Sequence, residues 1–396
     1  MIRVGFTLIG GERWTGGRVY LLNLLRAISI HERERLSPLV FVGTDVDSRE
    51  LAEFRDISGI EIVASGTWSE GRRRAELAKA LVLGRDAAAY RELRDRGVGV
   101  FFESARYFGW RPGIPMIAWV PDLQHRALRH MFSTAGWWKR ELGIRAQVAG
   151  GRMMMLSSES ACHDLERLYP AAVGRTRVVR FAVPAGFEID GAEAQAVLAS
   201  YRLPQDYFFL PNQFWRHKNH LLVLDALVSL RRRGHEIVVV ATGKAHDPRA
   251  PGYFEEFSRR LQAENLGGQF RHLGVVPYEH LGPILAASRA LLNPSLFEGW
   301  STTVEEARTL GVPTILSDLP VHREQMGEAA IYFDPRDAES LASALESFAP
   351  IPAPERRRRA VAARQEGERR YREFARRFAD LCQEVSGAQG RACREA

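Results

Sequence analysis

The chain has 396 residues, of which 45% are hydrophobic and 26% charged, an ordinary composition for a globular protein with more than one domain. No apolar run is long enough for a membrane-spanning helix. The three cysteines, Cys162, Cys382 and Cys393, lack the spacing of a disulfide framework or a metal site, so we expect free thiols in a reducing cytoplasm. The formal net charge of +7 favours anionic partners.

Strand-like and helix-like segments alternate in the first half of the chain. Residues 2–9 predict a first strand rather than a signal peptide, and a loop bounded by Gly10-Gly11 and Gly16-Gly17 leads to an apolar helix pattern at 18–30. This alternation predicts a parallel sheet covered by helices on both faces. Further strands are predicted at 39–43, 98–102, 115–120 and 153–157.

The same pattern restarts near residue 206. A linker is predicted at 182–205, because proline and glycine residues there interrupt regular secondary structure: Pro184, Gly186, Gly191 and Pro204. We therefore predict an α/β protein with two Rossmann-like domains, at 1–185 and 205–350, followed by a C-terminal helix and tail at 351–396 that packs back on the first domain. The second half has predicted strands at 207–210, 236–241, 270–274, 289–293, 313–316 and 330–333, and predicted helices at 218–233, 252–265, 278–287, 302–310 and 337–347.

The arginine-rich segment 355–377 continues into a helical pattern with one apolar stripe. The spacing predicts a helix that buries this stripe and leaves its arginines on the solvated face. Contact with an acidic membrane surface is the alternative, and nucleic acid is not expected as a partner because no recognisable module interleaves basic and aromatic residues. The stripe consists of Tyr371, Phe374, Phe378, Leu381 and Val385.

The segment 294–320 carries the strongest chemical signal. A loop with Glu298 and Gly299 follows a predicted strand. A helix start is predicted by three hydroxyl residues, two of which, Thr302 and Thr303, have a glutamate three positions on. A helix N-terminus at the end of a sheet binds anions such as a diphosphate. Carboxylates there suit the hydroxyls of a sugar nucleotide, although stabilisation of the helix dipole is the alternative. The residues at this helix start are Ser301, Thr302, Thr303, Glu305 and Glu306.

Glu298 and Glu306, with seven residues between them, resemble the E-x7-E motif of retaining GT-B glycosyltransferases of family four, the glycosyl transferases group 1. The resemblance covers most of 206–347 and, more loosely, 1–185. It implies a GT-B fold, in which two Rossmann-like domains face each other across a cleft. It also implies retaining transfer of a hexose from a nucleoside-diphosphate sugar to a glycan or lipid-linked acceptor, in cell-surface polysaccharide or glycoconjugate synthesis. A GT-B sugar-nucleotide epimerase and a catalytically idle nucleotide-sugar-binding scaffold remain open alternatives.

The resemblance assigns Glu306 to the ribose hydroxyls of the donor, Glu298 to the donor sugar and Lys218 to its diphosphate. Two departures bear on this assignment. Gln213 stands where the family usually has an arginine, so Arg216 is the candidate replacement cation. Gly-Trp-Ser replaces the usual Gly-Phe-Gly after the first glutamate, which bears on donor choice. The predicted donor-binding residues there are Gly299, Trp300, Ser301 and Thr302.

Other positions resemble the family more weakly. Gly16-Gly17 resembles its phosphate-facing loop, and Gly243-Lys244 a donor-side loop. Asp122 matches the middle of a His-Asp-Leu motif in which Pro121 replaces the histidine, so His125 is the candidate substitute. These residues complete the predicted catalytic and donor-binding set.

The resemblance also implies that the chain needs no cofactor and no essential divalent metal. The Asp45-Val46-Asp47 string is accordingly predicted to be a capping turn rather than a metal site. Trp137-Trp138 lies beside Lys139 and Arg140, which suits either a bilayer interface or a helix whose tryptophans enter the core. We expect a cytoplasmic protein, with peripheral contact to the inner face of the membrane as the open alternative.

Overall fold

The computed structural model describes residues 1–9, 15–72, 80, 82–104, 107–184 and 191–392. The chain forms two compact units. Unit 1 takes its described residues from 1–123, 135–182 and 370–396, and unit 2 consists of residues 124–134 and 183–369. The sequence-based boundaries placed 124–134 in the first domain and 351–369 in the tail, because local patterns do not report which unit a connecting segment packs against.

Unit 1 is built on a seven-stranded parallel sheet with the strand order β3-β2-β1-β4-β5-β6-β7. The first strand is central: Ile2 pairs with Leu36 of β2, and Val4 pairs with Val100 of β4. The outer strands β3 and β7 are short and were missed from the sequence. The bounds are β1 Ile2–Thr7, β2 Leu36–Val42, β3 Glu61–Ala64, β4 Val100–Glu103, β5 Met116–Trp119, β6 Met153–Leu156 and β7 Thr176–Val178.

Unit 2 repeats the design with six parallel strands in the order β10-β9-β8-β11-β12-β13. The register of its two middle strands is set by Leu291 of β11 beside Phe209 of β8. Each strand lies at a predicted position and is three or four residues long. The bounds are β8 Phe208–Leu210, β9 Val239–Ala241, β10 Phe270–His272, β11 Leu291–Asn293, β12 Thr314–Ser317 and β13 Ile331–Phe333.

Helices connect the strands, so that both sheets follow the doubly wound pattern. In chain order, the described helices are α1 Thr15–His31, α2 Ala52–Arg55, α3 Ala87–Asp95, α4 Gln124–Ala127, α5 Thr134–Ala149, α6 Glu159–Leu168, α7 Gly191–Ser200, α8 His220–Arg232, α9 Tyr253–Ala263, α10 Tyr278–Ala287, α11 Thr302–Leu310, α12 Pro320–Met326, α13 Ala338–Glu346 and α14 Ala353–Ala392.

Two helix predictions need correction. Helix α1 starts at Thr15, so Gly16 and Gly17 lie in its first turn and not in the preceding loop, whereas Gly10 and Gly11 fall outside the described residues. Helix α7 occupies much of the predicted linker, because its alanine-rich sequence favours a helix and Val197 becomes buried.

The core of unit 2 forms between α8 and its sheet. Leu224 and Leu227 of α8 are fully buried against Phe208 of β8 and Val239 of β9. Burying each of these leucines contributes about 2 kcal/mol. The packing holds the carboxyl ends of β8 and β9, and the loops that follow them, in fixed positions.

Helix α14 has the buried stripe that the sequence predicts. The five side chains of the stripe are each at most 9% exposed, and the centre of the Phe378 ring lies 6.0 Å from that of Phe6 and 5.7 Å from that of Phe102. Those contacts lie within unit 1, whereas residues 353–369 of the same helix belong to unit 2. Among the residues that the structure describes, no helix has the length and apolarity needed to cross a bilayer.

Candidate functional site

Two loops of unit 2 meet where its strand order reverses. Strands β8 and β11 are neighbours in the sheet, and their chains continue to opposite sides. In open α/β sheets, ligands bind beyond the carboxyl ends of the strands at such a point. The loop after β8 contacts the loop after β11, since Leu296 N–H donates to the His217 carbonyl at 2.8 Å. This contact brings the two predicted charged elements together.

Lys218 and Glu298 form an ion pair at this point. Lys218 Nζ lies 2.6 Å from Glu298 Oε1, and only 14% and 9% of the two side chains are exposed. Lys218 ends a single 3₁₀ turn, and the next residue, Asn219, takes a left-handed conformation and donates through its side chain to the Pro335 carbonyl. The lysine is therefore held by a defined turn and does not lie on a mobile surface.

A network of hydrogen bonds among short polar side chains reaches Glu298. Ser295 Oγ is 2.7 Å from Glu298 Oε1 and 2.6 Å from Asn293 Oδ1. The other end of the Asn293 amide donates to Ser301 Oγ at 2.9 Å, and Ser317 Oγ donates to the Ser295 carbonyl at 2.7 Å. All four of these supporting residues are buried. A satisfied buried network of this kind fixes the position of the carboxylate.

Helix α11 begins beside this network, but its predicted capping box is wrong. Ser301 is the N-cap residue and its hydroxyl makes no capping bond, because it is used by Asn293. Thr302 and Thr303 lie inside the first turn, so neither caps the helix. Instead, Gln325 of α12 accepts from Ser301 N–H at 3.1 Å and donates to the Ser301 carbonyl at 3.0 Å. The positive end of the helix dipole is thus left without a side-chain cap, as an anion site requires.

Glu306 lies one turn further along α11 and is 4% exposed. Its surroundings are apolar, and burial raises the pKa of its carboxyl group from 4.5 to about 7, although a hydrogen bond from Tyr278 Oη at 3.1 Å opposes the shift. A carboxylate in such a place is expensive to keep ionised, which is typical of functional sites. The apolar neighbours are Phe209, Pro211, Leu281, Leu285 and Leu310.

Gly243 brings the loop after β9 against the loop after β8. Its φ is +126°, and a Cβ atom there would lie 2.7 Å from Gln213 Cα and 2.8 Å from the Asn212 carbonyl oxygen. The glycine is therefore needed for packing between the loops. This requirement is independent of the predicted contact of Gly243 with a donor. Lys244, the next residue, is exposed.

Arg216, the candidate replacement cation, has an exposed side chain. Its backbone N–H donates to Asp247 Oδ2 at 2.9 Å. The turn that carries Arg216 is therefore tied to the loop after β9, while the guanidinium lies at the surface.

Segment 124–134 packs on unit 2 around Arg249. The Arg249 guanidinium donates to Gln124 Oε1 at 2.6 Å and lies 5.2 Å from the centre of the Phe132 ring. His125, a predicted catalytic residue, is fully buried in this segment and lies edge-on to Phe132. Sequence patterns alone placed His125 with the preceding strand of unit 1.

The predicted residues of unit 1 have other partners. Asp122 forms an ion pair with Arg140 at 3.1 Å. Asp47 is the N-cap of a 3₁₀ turn and accepts from Arg49 N–H, which confirms the predicted capping turn. On α5, Trp138 is 50% exposed, whereas Trp137 is partly buried against it.

Sequence reasoning missed three polar residues of the site: Gln325, Tyr278 and His322. His322 is fully buried on α12, donates through Nδ1 to the Ser317 carbonyl at 2.8 Å, and has no hydrogen-bond partner at Nε2 among the described residues. Burial lowers the pKa of its imidazole, while the charges of Glu298 and Lys218 act in opposite directions. No helix is predicted from the sequence at 320–326, so local patterns did not point to His322 or Gln325.

Solved structures share the architecture of this chain. The chain resembles a glycosyltransferase from Rickettsia africae, with a TM-score of 0.72 at 13% identity over 97% of this chain and 98% of that one. It also resembles Anabaena HepE in complex with UDP and glucose, with a TM-score of 0.70 at 13% identity over 97% of this chain and 100% of that one. The paired Rossmann-like sheets and the site at the reversal of strand order therefore define a protein of the GT-B fold class.

A family model matches part of the second half of the chain. Residues 201–366, which include Lys218, Glu298 and Glu306, match the model of the glycosyl transferases group 1. The match covers less than half of the chain.

Two curated relatives are O-antigen mannosyltransferases. O-antigen chain mannosyltransferase B of Escherichia coli is 36% identical over 76 residues, which is 19% of this chain and 20% of that protein. O-antigen chain mannosyltransferase RfbU of Salmonella typhimurium is 26% identical over 149 residues, which is 37% of this chain and 40% of that protein. The matches thus span well under half of each relative's length.

Proposed function

We propose that the protein is a retaining glycosyltransferase that moves a hexose from a nucleoside-diphosphate sugar to a glycan or lipid-linked acceptor. The observation that carries the proposal is the partly buried pair of Lys218 and Glu298, 2.6 Å apart, beside the uncapped start of α11. A cation and a helix N-terminus together suit a diphosphate. A carboxylate next to them suits sugar hydroxyls.

In this proposal the ion pair is exchanged for contacts with the donor. Lys218 turns from Glu298 to the diphosphate, and Glu298 is then available to accept a hydrogen bond from a hydroxyl of the donor sugar. Because charge builds up on the leaving diphosphate, a cation placed beside it lowers the barrier to bond cleavage. Glu306, one helical turn away, accepts from the ribose hydroxyls.

Retention of configuration follows from departure and attack on the same face of the sugar. The bond between the anomeric carbon and the diphosphate oxygen breaks, and a bond from the anomeric carbon to the acceptor oxygen forms. The acceptor proton passes to the departing diphosphate. No protein base is then required, and the roles of Asp122 and His125 are confined to positioning the substrates.

Mannose is the first donor sugar to test, because the curated relatives that match this chain are named as mannosyltransferases. An acceptor in polysaccharide synthesis is the corresponding proposal for the other substrate. We place the reaction in the cytoplasm, with the exposed side chains of Trp138 and Leu142 on α5 available for contact with the inner face of a membrane.

Thermal unfolding with UDP, GDP, ADP and NAD in parallel tests the donor site. A ligand at about 100 times its dissociation constant adds roughly 2.7 kcal/mol of stability. We expect one nucleoside diphosphate to raise the midpoint and NAD to leave it unchanged. The matching mannose donor should then be consumed only with an acceptor present, and the product should keep the anomeric configuration of the donor.

Three results would point elsewhere. Conversion of the donor sugar without an acceptor would identify an epimerase. Binding without any turnover in the presence of membrane-extracted acceptors would identify an idle scaffold. An inverted product would remove retention from the proposal.

A further inference from the structure

The carboxylate of Glu306 has two oxygens in different situations. Oε1 accepts a hydrogen bond from Tyr278 Oη at 3.1 Å. Oε2 accepts no hydrogen bond from any residue that the structure describes, and it is not among the fully enclosed polar atoms of the protein. One oxygen is therefore held by the protein, and the other is left for a different donor of a hydrogen bond.

Tyr278 is placed for this contact by its position at the start of α10. It is the first residue of that helix, directly after Pro277, and α10 packs against α11, which carries Glu306. The tyrosine is 40% exposed, whereas Glu306 is 4% exposed. The phenol thus reaches from the surface to an otherwise apolar pocket wall and meets the carboxylate there.

We infer that Tyr278 is a positioning residue of the nucleotide site: it holds Oε1 of Glu306 and thereby presents Oε2 to a ribose hydroxyl of the donor. The inference rests on the proposed function, since it presumes that Glu306 binds ribose. A hydrogen bond to a charged group is strong enough to decide whether this buried carboxyl group is ionised near neutral pH.

The other titratable groups on α10 and α11 are exposed or have other partners, and they do not hydrogen-bond to Glu306. On α10, Glu279 is exposed, and His280 is hydrogen-bonded through Nδ1 to Tyr201 at 2.8 Å. On α11, Glu305 is 3.7 Å from Arg308. Of the described side chains, Tyr278 alone hydrogen-bonds to Glu306.

The test compares Tyr278→Phe with Tyr201→Phe in the full chain. Both changes remove one phenol that hydrogen-bonds to a neighbouring side chain, at α10 or α11, but only the first touches Glu306. The dissociation constants of UDP, GDP and ADP are measured between pH 6 and pH 9. Because the titration of the nucleotide itself is common to all variants, the differences between variants report on the protein.

For Tyr278→Phe we expect the pH midpoint of nucleotide binding to rise by about one unit, with about tenfold weaker binding at pH 6.5 and a smaller loss at pH 9. Tyr201→Phe should follow the wild-type profile. An equal loss at every pH, or the same shift in both variants, would overturn the inference and leave Tyr278 a structural role.

Glu306→Gln separates this inference from the proposed function. If this variant binds the nucleotides as tightly as the wild type at all pH values, Glu306 does not contact ribose and the proposed site fails. If it binds more weakly while Tyr278→Phe keeps the wild-type midpoint, the proposed site stands and only the positioning role of Tyr278 is lost.

Discussion

At the scale of single residues, the site of unit 2 is dominated by charges that are kept away from water. Lys218 and Glu298 compensate one another, whereas Glu306 has only the hydroxyl of Tyr278. Removing one partner of an ion pair that is shielded from water destabilises the fold, because the remaining charge is left uncompensated. The two kinds of carboxylate should therefore respond to substitution and to pH in different ways.

Replacing Lys218 by methionine should leave Glu298, whose side chain is only 9% exposed, with no counter-charge. We expect a loss of about 3 kcal/mol in the free energy of unfolding and a fall of about a hundredfold in sugar transfer. Urea denaturation and a transfer assay measure the two effects. Adding Glu298→Gln should recover most of the stability but not the activity, and Arg259→Met on the exposed face of α9 is the matched surface control. Wild-type stability in Lys218→Met would contradict the ion pair.

Replacing Glu306 by glutamine should change how stability depends on pH. Because the pKa of the folded state is raised from 4.5 to about 7, the folded protein binds an extra proton between these values, and its stability falls as pH rises through this window. The full penalty, about 3 kcal/mol, is present above pH 7. Glu306→Gln should remove it.

Thermal unfolding between pH 4.5 and pH 8.5 measures this difference, with the exposed Glu256→Gln on α9 as control. The gain in stability of Glu306→Gln should be largest at the alkaline end. Parallel profiles of variant and wild type would show that Glu306 is ionised at no unusual cost.

At the scale of elements, the site depends on loops that must approach each other closely. Gly243 allows the loop after β9 to lie against the backbone of the loop after β8, and the 3₁₀ turn of Lys218 follows within a few residues. A side chain at position 243 would press on the segment that carries the lysine.

We expect Gly243→Ala to be at least about 2 kcal/mol more destabilising than Gly234→Ala. Both glycines have a positive φ, +126° and +83°, but a Cβ atom at Gly234 would have no neighbour within 4 Å. The difference between the two losses therefore combines the close contact at Gly243 with the greater backbone strain of its φ. Chemical denaturation gives the comparison, and equal losses would mean that the loops move apart at little cost.

The sequence was sufficient for most elements of both sheets and for the key residues taken singly. Strong apolar runs located β1, β8 and β11, and residue spacing singled out Glu298 and Glu306. Local patterns could not show that Lys218 meets Glu298, because that contact depends on two strands about 80 residues apart becoming neighbours. Nor could they show that Asn293 takes the hydroxyl of Ser301 and thereby prevents the expected capping.

At the scale of the whole molecule, the C-terminal helix completes the core of unit 1. Phe374 and Phe378 of α14 are almost fully buried, the first beside Tyr20 and the second beside Phe6. These two phenylalanines lie at the opposite end of the sequence from β1. Substitutions in this helix should therefore destabilise the strands of unit 1.

Phe378→Ala should cost about 3 to 5 kcal/mol of unfolding free energy. Gln365→Ala, an exposed change in the same helix, should cost less than about 0.5 kcal/mol. Hydrogen exchange resolves where the loss falls, and the amides of β1 and β4 should exchange faster in Phe378→Ala alone. Unchanged protection of these strands would show that the helix is not part of their core.

The passage of α14 from unit 2 into unit 1 has a consequence for synthesis on the ribosome. Phe6 and Phe102 are made early, but their partner Phe378 follows only after all of unit 2, from residue 183 to residue 369, has been translated. At about 5 to 20 residues per second, this delay lasts roughly 10 to 40 seconds. During that interval the second unit can fold first, while the nascent first unit keeps an apolar face uncovered until α14 has been made.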